Sequence, residues 1–123
     1  MPHRTYVSDD STYIIQEVRG EITRATQLQA IIEAHGLGLK LGINKFLVDI
    51  TNARNVESVA ESFNFAYSDL RNSPLVSKGT CNAVLVAPDD HSHDFVEVVL
   101  ANSGRDAKFF RDRNDAIAYL KTR

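Results

Sequence analysis

The chain has 123 residues, 43% of them hydrophobic and 24% charged, which suits a single globular domain over residues 1–123 and leaves too little chain for two. A net charge of −2 at pH 7 supplies no global attraction to nucleic acid or anionic lipid. A single cysteine excludes an internal disulfide and a cysteine-based zinc framework, and no stretch has the length of an apolar membrane span.

Residues 4–8 and 12–19 read as two strands joined by the turn-forming Ser8-Asp9-Asp10-Ser11, an opening hairpin. Alternation puts Tyr13 and Ile15 on one face of the second strand and Ile14, Gln16 and Val18 on the other. Thr23 is placed to cap a helix whose apolar stripe is Ala25, Leu28, Ile31 and Ile32. That helix is expected to end between His35 and Gly42, where Gly36, Gly38 and Gly42 read as a C-cap and turn. The glycines do not form a dinucleotide fingerprint: their spacing is G-x-G-x-x-x-G, and they follow a helix and lead into a strand.

Residues 45–50 read as a buried strand ending at Asp49-Ile50-Thr51, with a polar loop over 51–57. Ser58-Val59-Ala60-Glu61 is a capping box, so a helix is expected over about 58–71, with Phe63 and Tyr67 buried and Phe65 turned outward. Cys81–Pro88 is an apolar strand stopped by proline, with Cys81 a buried thiol. Asp90 or Ser92 is expected to cap the next helix, which turns Phe95, Val96, Val99 and Leu100 inward and stops at Gly104. Ala107–Phe110 is a last strand, and Asp112 caps a final helix that buries Ala116, Ile117 and Leu120.

The order β-β-α-β-α-β-α-β-α predicts an α/β fold: one mixed five-stranded sheet, an opening antiparallel hairpin followed by parallel βα units, with four helices. Helices gathered on one face would leave the other to be covered, which a homodimer would do.

The densest set of potential ligands is Asp89, Asp90, His91, Ser92, His93 and Asp94. Imidazole and carboxylate bind zinc, but residues two apart at a helix start diverge, and no distant His or Cys completes a site. His91 and His93 are therefore the weak candidates for a metal-dependent activity, and capping explains the cluster better. No Cys/His or Ser/His/Asp set has supporting spacing, so the expectation is no catalytic residue, no cofactor and no enzymatic activity. The last twenty residues carry six Lys/Arg against three Asp, a local +3 that reads as solvated helix and strand faces.

The hairpin followed by "GEIT" at 20–23, "KFLVDIT" at 45–51, "NAVLVAP" at 82–88 and "AKFFRDRNDAIAYL" at 107–120 together resemble the STAS family of sulfate transporters and anti-sigma-factor antagonists. The resemblance is to its SpoIIAA-like bacterial branch of small stand-alone proteins and spans nearly the whole chain. It implies a cytoplasmic, non-enzymatic regulatory or interaction module that works by contact with a protein partner. In the antagonists, a Ser or Thr two positions after a strand-ending Asp is phosphorylated by the partner kinase. Asp49 and Thr51 have that spacing, which makes Thr51 the candidate phosphoacceptor. The sequence departs from the family where Thr51 is followed by "NARNVE" before Ser58, instead of running directly into the helix. The implied partner surface is Asp49, Thr51, Asn52, Arg54, Asn55, Ser58 and Phe65. The alternative rests on the topological likeness of STAS folds to lipid-binding CRAL–TRIO domains. It implies an apolar pocket between sheet and helices for a small lipid or nucleotide.

Overall fold

In the computed structural model, residues 3–56, 79–102 and 107–122 are described, and every structural statement concerns these. Five strands, β1 His3–Val7, β2 Ile14–Ile22, β3 Lys45–Asn55, β4 Cys81–Leu85 and β5 Ala107–Phe110, form one sheet in the order of the sequence. β1 and β2 are antiparallel, and β2 to β5 run parallel. Three helices are described, α1 Arg24–Leu41, α2 Asp94–Asn102 and α3 Arg113–Lys121. The fourth expected helix, over about 58–71, lies outside the described residues, as does the stop expected at Gly104.

The hairpin closes as its residues dictate. Ser8 Oγ and Thr12 Oγ1 both donate to Asp10 Oδ1, at 2.8 and 2.7 Å, and Ser11 takes the left-handed conformation at φ 61°. Alternation along β2 then fixes two faces. Tyr13 and Ile15 join Leu47, Ala83, Leu85, Ala116 and Leu120 in the core beneath α3. Ile14 packs with Ala34 and Phe46 beneath α1. Val96, Val99 and Leu100 of α2 meet Leu28, Ile31 and Ile32 of α1 on that same face. Helices therefore cover both faces of the sheet, α1 and α2 on one and α3 on the other, which corrects the expectation of a one-sided layer and removes its argument for a homodimer.

The first helix is longer than expected. Thr23 caps it in a box with Thr26, and it continues through Gly36 and Gly38 to a C-cap at Gly42, φ 72°. Only Gly42 serves the predicted turn. Gly38 instead allows a close approach: a Cβ there would stand 2.6 Å from the Ile43 carbonyl oxygen and 2.8 Å from the Phe46 ring. Phe46 in turn stacks on His35, with ring centroids 4.5 Å apart.

Two further corrections concern sides. Phe95 was expected inward on α2, but it is 39% exposed while Val96, Val99 and Leu100 are buried. Three inward positions at i, i+3 and i+4 already fill the stripe that a short helix offers, and Phe95 falls at its edge. Residues 51–55 were expected as a loop, yet β3 runs on to Asn55, paired with β2 from Arg19↔Asn52 to Ile22↔Asn55.

Candidate functional site

The extension of β3 is made possible by a bulge. Between Glu17↔Asp49 and Arg19↔Asn52 the partner strand advances two residues while β3 advances three. The extra residue is held by the Asp49 carboxylate, whose Oδ1 accepts the Thr51 N–H at 3.0 Å and the Thr51 hydroxyl at 2.7 Å. Its Oδ2 accepts from Arg113 Nη1 at 3.1 Å. The spacing that the sequence offers as a phosphorylation site is therefore, in the fold, the internal clamp of a β-bulge. The slip of one residue brings Ala53 and Asn55 onto the face that Ile50 occupies, and turns Asn52 and Arg54 to the opposite, exposed side.

This re-aimed end of β3 holds the loop between β4 and α2. The Asn55 N–H donates to Ser92 Oγ at 3.1 Å, and the Ala53 backbone bonds the His93 ring. The Ser92 N–H in turn donates to Asp90 Oδ1 at 2.8 Å. Ser92 thus ties the end of β3 to the β4–α2 loop and does not cap α2. His93 precedes the helix, and its carbonyl accepts the Glu97 N–H. Arg111, just past β5, closes the loop from outside: its Nη1 donates to the carbonyls of Ala87, Pro88 and Asp90 at 2.6, 3.3 and 3.0 Å.

Beneath α1 and α2 the register lays Gln16, Val48, Val84 and Phe109 in one row across β2 to β5. Over this row lies a mostly apolar cavity of about 70 Å³, roofed by Ile31, Ala34 and His35 of α1 and by Val96 and Leu100 of α2, with His93 at its side. A second, polar chamber of about 230 Å³ shares His93 and Phe109 with it and is otherwise lined by Val86, Asp94, Glu97 and Arg111. The two side chains form a wall between an apolar space and a charged one.

Two of the lining residues, Gln16 and His93, each carry a buried polar atom that stands out. Gln16 is 1% exposed, and its Nε2 donates to the Ala30 carbonyl at 2.5 Å and to Thr5 Oγ1 at 3.0 Å. A carbonyl accepts only, so the amide orientation is settled and Oε1 is left as the free end. That Oε1 is buried and accepts no hydrogen bond among the described residues. His93 is 3% exposed, and its Nε2 is likewise unpartnered among them. The Ala53 bond therefore uses Nδ1–H, which leaves Nε2 as a bare acceptor in the neutral ring. Burial holds the His93 pKa below its ordinary 6.5, against the opposing pull of the Asp90 and Asp94 carboxylates. Asp90 Oδ2 lies 3.4 Å from Nε2, outside hydrogen-bonding geometry. Burial would raise the Asp90 pKa, but the Ser92 bonds and the fields of His93 and Arg54 outweigh it, and the net shift is downward.

Of the residues the sequence singles out, Asp49 and Thr51 meet each other, Asn52 and Arg54 are exposed, and Asn55 faces Ser92. Ser58 and Phe65 lie outside the described residues. His91 is exposed and bonds Asp94 at 2.9 Å, whereas His93 is buried beside Asp90, so the two imidazoles serve different carboxylates. Among the described residues no three His, Cys, Asp or Glu side chains gather to hold a metal ion. Sequence reasoning missed Gln16 as a site residue. The available signal was an amide on the strand face that Ile14 and Val18 otherwise make apolar.

The geometry and the strand order define a STAS/SpoIIAA-like fold, which comparison with solved structures supports. The chain is similar to an uncharacterized protein of the DUF3478 family from Shewanella loihica PV-4, whose crystal structure is described as having a SpoIIAA-like fold. The identity is 21%, the TM-score 0.51, and the match covers 96% of this chain and 91% of that one. No family model matches the chain, and no curated protein matches it. No described helix is long and apolar enough to cross a membrane.

Proposed function

We propose that the protein is a non-enzymatic binding module, and that the cavity under α1 and α2 is where it takes up a small, mainly apolar ligand. The observation that carries this reading is that Gln16 and His93, which line one apolar cavity, each hold a buried acceptor without a partner among the described residues, Oε1 and Nε2. Each costs about 1–3 kcal/mol while it has no donor, a penalty that a bound molecule would relieve. Titration of the ¹⁵N-labelled protein with 1-butanol tests it. Saturable shifts are expected at the Gln16 side-chain amide and at the amides of Val48 and Val84, and a lining filled by Ala34→Leu is expected to abolish them. An unchanged spectrum at millimolar 1-butanol would sink the reading.

One observation favours a second, protein-contact role at the far end of β3. Beyond the bulge, Asn52, Arg54 and the 47% exposed Val56 present a mixed polar and apolar edge to solvent. On this reading Thr51 is the switch, since a phosphate there would displace the hydroxyl from Asp49 and set two anionic groups against each other. Capture of partners with wild type and Arg54→Glu decides it, because equal recovery of the same proteins rules this surface out.

A further inference from the structure

The chemical class of the ligand follows from which atoms are left over, and it rests on the cavity being the binding site. Both unsatisfied atoms are acceptors: the Gln16 amide has spent its donors on Ala30 and Thr5, and the His93 ring has spent its proton on Ala53. Neither can receive another acceptor, so an ester, ether or carboxylate oxygen placed against either would meet a lone pair. An anion meets a further obstacle at the His93 end, where the Asp90 carboxylate stands 3.4 Å from Nε2.

The spacing of the two atoms sets the shape. Gln16 sits on β2 at the row of Val48, while His93 is held at Ala53, beyond the bulge and toward the β4 side of β3. One strand spacing across the sheet and a few residues along it separate the two by on the order of 10 Å. The space admits about five water-sized groups at roughly 10–15 Å³ each, so a molecule reaching both ends is short and slender and leaves one end beside the polar chamber.

We infer that the cavity selects an uncharged, slender apolar molecule carrying a hydroxyl or N–H donor at each end, one donor read by Gln16 Oε1 and the other by His93 Nε2. Fatty carboxylates are rejected at both ends by the same acceptors. The selection is by mismatch as much as by fit, because a ligand without donors leaves two buried acceptors unpaired.

Three probes of equal length separate this from the broader reading. 1,3-Propanediol supplies donors at both ends, 1,3-difluoropropane has nearly the same shape and none, and malonate presents carboxylates. Affinities are measured by amide shift titration at pH 7.5. The diol is expected to bind at least about tenfold more tightly than the difluoride, with malonate giving no saturable shift. In Gln16→Leu and in His93→Phe the ratio of diol to difluoride affinity is expected to fall severalfold each, an outcome that a merely structural role for these residues would not produce. If the difluoride or malonate binds as tightly as the diol, the donor rule is overturned while the cavity remains the binding site. If 1-butanol and all three probes leave the spectrum unchanged, both readings fail. The wild-type comparison decides the matter even where a variant does not fold.

Discussion

Two alanine substitutions in α1, at Gly36 and Gly38, should move stability in opposite directions. Glycine within a helix costs about 0.8–1 kcal/mol relative to alanine, so propensity alone would stabilise both variants equally. At Gly36 nothing lies within 4 Å of the added methyl, and the full gain is expected. At Gly38 the methyl falls 2.6 Å from the Ile43 carbonyl oxygen and 2.8 Å from Phe46 Cζ. The first is backbone at the helix C-cap, where Gly42 and Ile43 both donate to the Gly38 carbonyl, so it cannot rotate away. The second belongs to a buried ring stacked on His35. Overpacking of this kind costs about 1–3 kcal/mol, and two contacts with little room to yield belong at the upper end. The net expectation is a gain of about 1 kcal/mol for Gly36→Ala and a loss of about 2 kcal/mol for Gly38→Ala. Urea unfolding followed by far-ultraviolet circular dichroism reads the difference as midpoints separated by on the order of 1–2 M. Because Phe46 lines the cavity, Gly38→Ala should also weaken 1-butanol binding while Gly36→Ala leaves it unchanged. Equal stabilisation of both variants would refute the close approach of helix and strand on which the cavity's shape depends.

Two further expectations concern the loop and the bulge. The folded-state pKa of His93 lies below its unfolded value, so its contribution to stability is intact above about pH 6.5 and falls as the pH drops from there through the folded pKa. The groups facing the ring are Asp90 and Asp94, which favour its protonation, and Arg111, which opposes it. Urea midpoints between pH 7.5 and 5 should decline for wild type and decline less for His93→Gln; parallel curves for the two would remove the buried neutral imidazole. Asp49→Ala deprives Thr51 and Arg113 of their shared acceptor and should cost about 2 kcal/mol, with faster amide exchange at Ala53 and Asn55. Unchanged exchange at those two amides would mean that the bulge does not need its clamp.

The sheet was legible in the sequence because period-two alternation and turn chemistry act locally. Ile14, Ile15 and Gln16 could be assigned to faces from their neighbours alone. Thr23 and Asp112 announced their helices through side chains that bond amides three residues away. What stayed hidden depends on partners distant in sequence. Gly38 looks like a stop until Ile43 and Phe46 are seen against it. The Asp49 and Thr51 pair has the spacing of a family's switch and equally the spacing of a clamp, and only pairing with Arg19–Ile22 shows that the strand continues past it. In the sequence His93 stands out for metal because its neighbours are acids, whereas in the fold burial outweighs those same acids and sets the direction of its pKa shift. Gln16 was placed on its face without a role, since the exhaustion of its two donors is visible only once Thr5 and Ala30 are beside it.

The order of the strands has a consequence for how a guest reaches its berth. Among the described strands the winding advances from β1 to β5 without ever doubling back. In α/β sheets where the direction reverses, two neighbouring crossovers part to opposite sides and leave a ready-made cleft at the strand tips. Among the described strands there is no such parting, so the hollow lies over the middle of the sheet, between α1 and α2, and not at a cleft of the strand tips.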